Sequence, residues 1–352
     1  MTAVKRTESQ DTFGTPTAAA KEEDMQDTRG REFARRTFPY IFGIGFPALG
    51  VIAVIHKAAV AVYLIYALVT ATALLAERYI PWVPIPANRR WRNRHTDLAY
   101  LATAPLIMLA LVTWVPPVLQ TVRDWLFGDA FLWPVDLPTY VQAPMAVLVV
   151  ELAYYWAHRI SHYNNFLWRS HRVHHSPEGL DWLMSWRIQW LNEVIHMTAR
   201  LIPFAMLGMP AHVTAIVLVI SNTHALFPHA NIDTKSGRFL NGFLNTPEVH
   251  RWHHLQDLRY ANSNFGDVTL VWDRVFRTYN PPGVNKSALM GLPAWERRQL
   301  PEGYLKQLYR PLLPDAPRVT GRKSTGEEPA ADVVADSSSA ELVEPHHPDW
   351  PR

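Results

Sequence analysis

Eight of the sixteen histidines in this 352-residue chain fall into three boxes, His158-x-x-x-His162, His171-x-x-His174-His175 and His250-x-x-His253-His254. A further pair, His224 and His229, stands between the second and third boxes. Neutral imidazole is the commonest metal ligand and suits iron, zinc and copper. The chain has no cysteine, which excludes thiolate ligation and disulfides and leaves histidine as the main ligand available. One tetrahedral zinc takes four ligands at most, so this many imidazoles ask for two metals. The expectation is a dinuclear centre held by His158, His162, His171, His174, His175, His224, His229, His250, His253 and His254.

The spacing suits short helices. His158 and His162 are four apart and share one helical face, and Tyr155 and Glu151 continue that stripe. A carboxylate a turn or two from a metal site orients a ligand imidazole through its other ring nitrogen, which is the role expected of Glu151; the alternatives are pairing with a neighbouring helix or direct ligation. His171, His174 and His175 repeat the arrangement on one face, with Ser176-Pro177 closing the helix. The third box has a start signal: Thr246 as N-cap, Pro247 at the first helical position and Glu248 in the first turn. His229 lies in Phe227-Pro228-His229-Ala230-Asn231, where an apolar run ends. His224 is deeper in that run, and its alternative is a core histidine hydrogen-bonded to a neighbour. His56, His95, His196 and His212 lack companions at ligand spacing, and His346 and His347 stand in a polar tail, so none of these is counted.

The elements that must position these side chains are apolar helices. Phe38 to Ile55, Ala58 to Ala76, Leu98 to Val115 and Val141 to Ala157 each come near the roughly 20 residues needed to span a bilayer. Ile188 to Leu207 and Met209 to Phe227, joined by Gly208-Met209-Pro210, carry Glu193, His196 and Arg200 and read as a partly inserted hairpin. The fold class expected is all-α: a membrane bundle of about four spanning helices plus that hairpin, capped by the di-metal site. A mean hydropathy of −0.09 hides this, because the polar ends dilute the apolar middle. The expected divisions are a weakly ordered tail at 1–36, spanning helices at 37–139, a histidine-box catalytic domain at 140–313 and a disordered tail at 314–352.

Arg78, Arg89, Arg90, Arg92 and Arg94 cluster between the second and third runs, and placing them in the cytoplasm puts both tails and every histidine box on that side. A net charge of +3 is too mild to point to nucleic acid, and no internal repeat or Gly-rich nucleotide fingerprint is present. A metal transporter would carry its polar ligands along a path through the bilayer rather than in boxes on one face. A histidine-caged di-zinc hydrolase or structural metal protein is the other competing class; zinc favours mixed ligand shells with an open water position.

With its boxes, the Phe-x-His-Ala-Asn stretch, Asn245-Thr246-Pro247, Asn264-Phe265-Gly266 and the closing Trp272-Asp273-Arg274-Val275-Phe276-x-Thr278-Tyr279, the chain resembles the fatty acid hydroxylase and sterol desaturase superfamily over Tyr140 to Leu313. Tyr154-Tyr155-Trp156 and Asn165-Phe166-Leu167-Trp168 are similar to its alkylglycerol monooxygenase branch. The resemblance implies an integral-membrane oxidoreductase with two non-heme iron ions, using O2 to hydroxylate, or alternatively desaturate, a membrane lipid or sterol-like substrate. Its electrons would come from a separate donor, whether a cytochrome, a ferredoxin and its reductase, or a soluble reductant. The sequence departs from many members at Arg277, where they carry glycine, and at Gln189-Trp190, where they carry His-Pro.

Overall fold

The computed structural model describes residues 18–84, 94–128 and 132–314. The start of the N-terminal tail, most of the arginine cluster with Trp91, and the C-terminal tail with His346 and His347 lie outside the described residues. Among the described residues every regular element is helical, and strand-like pairing is confined to isolated bridges such as Pro81 with Ile232 and Leu244 with Thr269.

The chain enters through α1 (Ala18–Tyr40), passes a π-helical stretch at Ile41–Gly45 and continues as α2 (Phe46–Ile55). Proline removes a helical hydrogen bond, and here the wider turn lies between Pro39 and Pro47. The polar stretch read as a weakly ordered tail through Arg36 is therefore corrected: from Ala18 it is helix. Its last turns are anchored, with Ala34 buried and Arg35 paired with Asp233 at 2.8 Å, contacts that composition does not reveal.

After a turn in which Lys57 takes a positive φ of 54°, α3 (Ala59–Tyr79) runs back, and α4 (Arg94–Phe127) follows. Thr28–Ile55, Ala59–Tyr79 and Arg94–Phe127 are long and apolar enough to cross a membrane. Leu64, Leu75, Leu106, Leu109 and Trp114 stand exposed on them, an arrangement stable against lipid and costly against water. The fourth apolar run becomes α5 (Thr139–Tyr163), but it does not share that character. It buries Gln142, Glu151, His158 and Ser161 on its inner face, so three helices rather than four meet the criterion among the described residues.

Behind α5 come α6 (Asn165–His171), a 3-10 turn at Trp182–Trp186, and the expected hairpin of α7 (Trp190–Met206) and α8 (Ala211–His224), which turns at Gly208 with φ 69°. Short helices α9 (Gly237–Phe243), α10 (Pro247–His253), α11 (Leu258–Ala261), α12 (Val271–Val275), α13 (Ala294–Arg297) and α14 (Tyr304–Tyr309) complete the cap. One apolar core joins Phe42 and Phe46 to Ala73, Phe227 and Ile232; a second joins Val150 to Met197, Phe204 and Val217. A third, around Leu183, Trp252 and Leu255, underlies the cap. Arg187 links the spans to the cap by pairing with Asp97 of α4 while its Nε donates to the Val173 carbonyl at 3.2 Å.

Candidate metal centre

Nine of the ten expected histidines converge in two groups. His158, His162, His171, His175 and His253 form one, and His174, His229, His250 and His254 the other, with the ligand nitrogens of each group within 4.8 Å of one another. The boxes do not each serve one metal. α6 ends at His171, the chain turns through residues 172–175, and His174 and His175 point to different groups with ring planes 90° apart. The single helical face expected for this box is corrected, because a turn rather than a helix carries it. The third box divides likewise, His253 to the first group and His250 and His254 to the second.

Within the groups the Nε2 atoms face one another. His171 Nε2 lies 3.1 Å from His158 Nε2 and 3.0 Å from His175 Nε2. In the second group His229 Nε2 lies 3.1 Å from His174 Nε2 and 3.0 Å from His250 Nε2, which is 3.1 Å from His254 Nε2. The outward nitrogens explain why these are not ordinary hydrogen bonds. His158 Nδ1 donates to the Phe265 carbonyl at 2.7 Å and His253 Nδ1 to the Ser263 carbonyl at 2.9 Å, so both rings carry their proton outside. His171 Nδ1 faces Asn192 Oδ1 at 3.0 Å and His162 Nδ1 faces Asn262 Oδ1 at 3.1 Å. That leaves bare Nε2 lone pairs crowded together in a buried space, with those of His162 and His253 lacking any hydrogen-bond partner. Buried acceptors without a donor are costly, and a shared cation relieves the cost. Metal–imidazole bonds of about 2.0–2.1 Å place adjacent ligand nitrogens roughly 3 Å apart, which the observed spacings match. The donor set fits two metal ions.

Burial, reinforced by the neighbouring imidazoles, holds His171, His175, His229, His250, His253 and His254 well below the ordinary histidine pKa, and burial pushes His174 down to about 4. These rings are therefore neutral near pH 7, the form in which imidazole binds metal.

His224 is the expected ligand that the fold keeps apart. It belongs to neither group, and its Nε2 donates to the Asn245 carbonyl at 2.8 Å, which makes it a buried brace beside the segment leading into α10. Glu151 does not reach a histidine either. Its Oε2 accepts from the backbone N–H groups of Val268 and Thr269 at 3.0 and 3.1 Å, and so holds the loop whose Phe265 carbonyl orients His158. Thr246 precedes α10 as expected, but its hydroxyl donates to Asn241 rather than to the helix N-terminus.

That loop is built with little tolerance. Asp273 accepts from the Phe265 and Gly266 N–H groups, both at 2.8 Å, and from Thr278 Oγ at 2.7 Å. A Cβ on Gly266 would lie 2.0 Å from the Thr269 carbonyl oxygen, so only glycine fits. Arg277 has φ 58°, a left-handed conformation that accounts for the glycine expected there. Gln189 in turn caps α7, accepting from Leu191 N at 2.7 Å, while its Nε2 and the Trp190 ring nitrogen both donate to the Leu308 carbonyl.

A cavity of about 820 Å³ leads to the two histidine groups, a volume within the range of small-molecule sites. Its walls are apolar along α2, α3 and α4, with Val54, Val62, Val69, Met108 and Val112, and it ends at His158, His171, His174, His229 and His250. Beside the histidines it meets Glu193, His196, Arg200 and Asp267, polar residues that sequence reasoning did not assign to the site. His196 was set aside as solitary, yet its ring centroid lies 5.4 Å from those of both His158 and His171. The signal available was a row of polar residues on an otherwise apolar helix.

Among the described residues the chain thus combines three helices long and apolar enough to cross a membrane with two histidine groups that could hold metal at the end of an apolar cavity. Residues 143–278, the segment that bears the histidines, match the model of the fatty acid hydroxylase family. Over 287 residues the chain is 26% identical to an ornithine lipid hydroxylase, OlsE, of Rhizobium tropici, covering 79% of this chain and 82% of that protein. It is 32% identical over 137 residues to an alkylglycerol monooxygenase of Danio rerio, 39% of this chain and 30% of that one. A Delta(7)-sterol 5(6)-desaturase of Leptosphaeria maculans is 27% identical over 187 residues, 51% of this chain and 48% of the desaturase. No solved structure matches the chain.

Proposed function

We propose that this protein is a membrane lipid hydroxylase whose two histidine groups hold two iron ions, which take up O2 and electrons from a separate donor. The reaction consumes a C–H bond, O2, two electrons and two protons, and gives a C–OH group and one water. Iron would supply the oxidising power that an unactivated C–H bond demands; the chain supplies position and exclusion of water. The observation that carries this reading is the convergence of His158, His162, His171, His175 and His253, four of which turn their outward Nδ1 to an oxygen acceptor and leave Nε2 facing inward. Five imidazoles exceed the four of a tetrahedral zinc site, which favours a six-coordinating metal such as iron over a di-zinc hydrolase.

The remaining residues have definable tasks. Phe265, Ser263, Asn192 and Asn262 aim the imidazoles from outside. The apolar walls of α3 and α4 receive a lipid chain directly from the bilayer, and the buried cap keeps bulk water away. Placing the arginine cluster in the cytoplasm sets the centre at the cytoplasmic face, where an electron donor can dock. The test combines metal analysis of purified protein with lipid mass spectrometry of cells that contain or lack it. The expected result is about two irons per chain and a lipid that gains one oxygen. A lipid that loses two hydrogens instead would make the protein a desaturase, and iron-free protein indifferent to O2 would overturn the reading.

A further inference from the structure

Three groups on one face of α7 look into the end of the cavity: Glu193, His196 and Arg200, one turn apart along the helix. Two of them have partners. His196 Nε2 lies 3.2 Å from Ser161 Oγ. Arg200 pairs with Asp267 at 2.7 Å and stacks its guanidinium 4.2 Å above the Tyr154 ring. Glu193 has none. It is 6% exposed, lines the cavity, and its carboxylate makes no hydrogen bond or ion pair among the described residues. A buried carboxylate without a partner is costly, and a structure that keeps one at the end of a ligand cavity leaves room for the partner to be the ligand.

The local charge balance says what that ligand carries. Arg200 pairs with Asp267, and the carboxyl groups of Glu151 and Glu193 lie close enough to interact with it as well. Three carboxyl groups thus share one guanidinium, and burial raises the pKa of Glu151 and Glu193 to about 7. A phosphate or carboxylate head group would add to the excess; a cation removes it. The other charged group lining the cavity, Lys57, sits at the far end of α3 from Glu77, whose carboxylate binds the Trp182 and Asn231 N–H groups at the cap.

Resting on the reading above, we propose that Glu193 receives a protonated amine on the substrate's head group, so that the lipid oxidised here is an amino lipid held with its amine beside His196 and Arg200. The apolar tube then takes the chain and Glu193 selects the head. Glu193 is a specificity-determining residue that touches substrate without touching metal.

The test uses two lipids that differ only in the amine: N-palmitoyl-1,4-diaminobutane and its N′-acetyl derivative. Binding of each to the purified full-length protein is measured at equilibrium, with turnover followed separately by mass spectrometry. Wild type should bind the free amine about tenfold or more tighter, the size of one charge-assisted hydrogen bond. Glu193→Gln should lose that preference by weakening only the amine, because the acetylated lipid fits the same tube. Equal affinities in wild type, or a preference that survives in E193Q, would overturn the proposal. The wild-type comparison decides even if E193Q does not fold. Because binding needs no turnover, a wild type that prefers the amine yet oxidises no lipid refutes the hydroxylase reading alone. A working hydroxylase that binds both lipids alike refutes the amine seat alone.

Discussion

The two histidine groups share the second and third boxes but are held differently. In the group of five, four outward nitrogens face an oxygen acceptor at 2.7 to 3.1 Å: Phe265 O, Ser263 O, Asn192 Oδ1 and Asn262 Oδ1. In the group of four the support is thinner. His229 Nδ1 lies 3.3 Å from Ser185 Oγ and 3.4 Å from the Ala225 carbonyl, and the outward nitrogen of His254 has no partner. A ligand whose second nitrogen is tied down stays in one tautomer and one orientation; one that is not can turn. The contrast makes the five-histidine group the more rigidly oriented of the two. The four-histidine site has more open positions and more freedom, and it is the one better suited to exchanging ligands.

The harshest test removes a ligand from each side. His171→Ala and His250→Ala should each abolish turnover, with the iron content falling from about two to at most about one ion per chain; a variant that keeps both ions would break the division into groups. Next in size, Gly266→Ala drives a Cβ into the Thr269 carbonyl. It should cost about 3 kcal/mol or more in unfolding and empty the five-histidine site first, because Phe265 moves with it. The outward partners sharpen the comparison. Asn192→Ala should weaken metal binding by about 10–100-fold, whereas Ser185→Ala should cost less than about tenfold; equal losses would mean the two sites are equally preorganised. His224→Gln belongs beside Ser185→Ala, and it should retain both ions by metal analysis. The smallest effect is a gain. Arg277→Gly relieves a left-handed φ of 58° and should raise stability by about 0.5–1 kcal/mol in thermal unfolding, with metal content unchanged.

Much of this protein is legible in its sequence because the signals are periodic. Uncharged stretches of about 20 residues specify spanning helices in any surroundings, since backbone groups in lipid must be satisfied within the helix. The hairpin at Gly208 and the start of α10 at Pro247 follow from turn and cap chemistry. α5 falls short of the same criterion of length and apolarity for a related reason: its inner face carries the buried Gln142 and Glu151. The order of residues 18–36 escaped notice because a polar helix held by Asp233 and Lys235 resembles a solvated tail.

From the order of residues alone, then, come the helical membrane class, the absence of thiolate ligands, and the identity of nearly all the imidazoles, because local spacing and side-chain chemistry are written along the chain. Which group each imidazole joins, why His224 bonds Asn245 instead, and that Glu151 steadies a loop were decided by the folded chain. So was the gathering of Glu193, Arg200 and Asp267 along one end of the cavity. Contacts between distant segments depend on how helices pack and where turns aim a side chain, and those directions exist only in three dimensions.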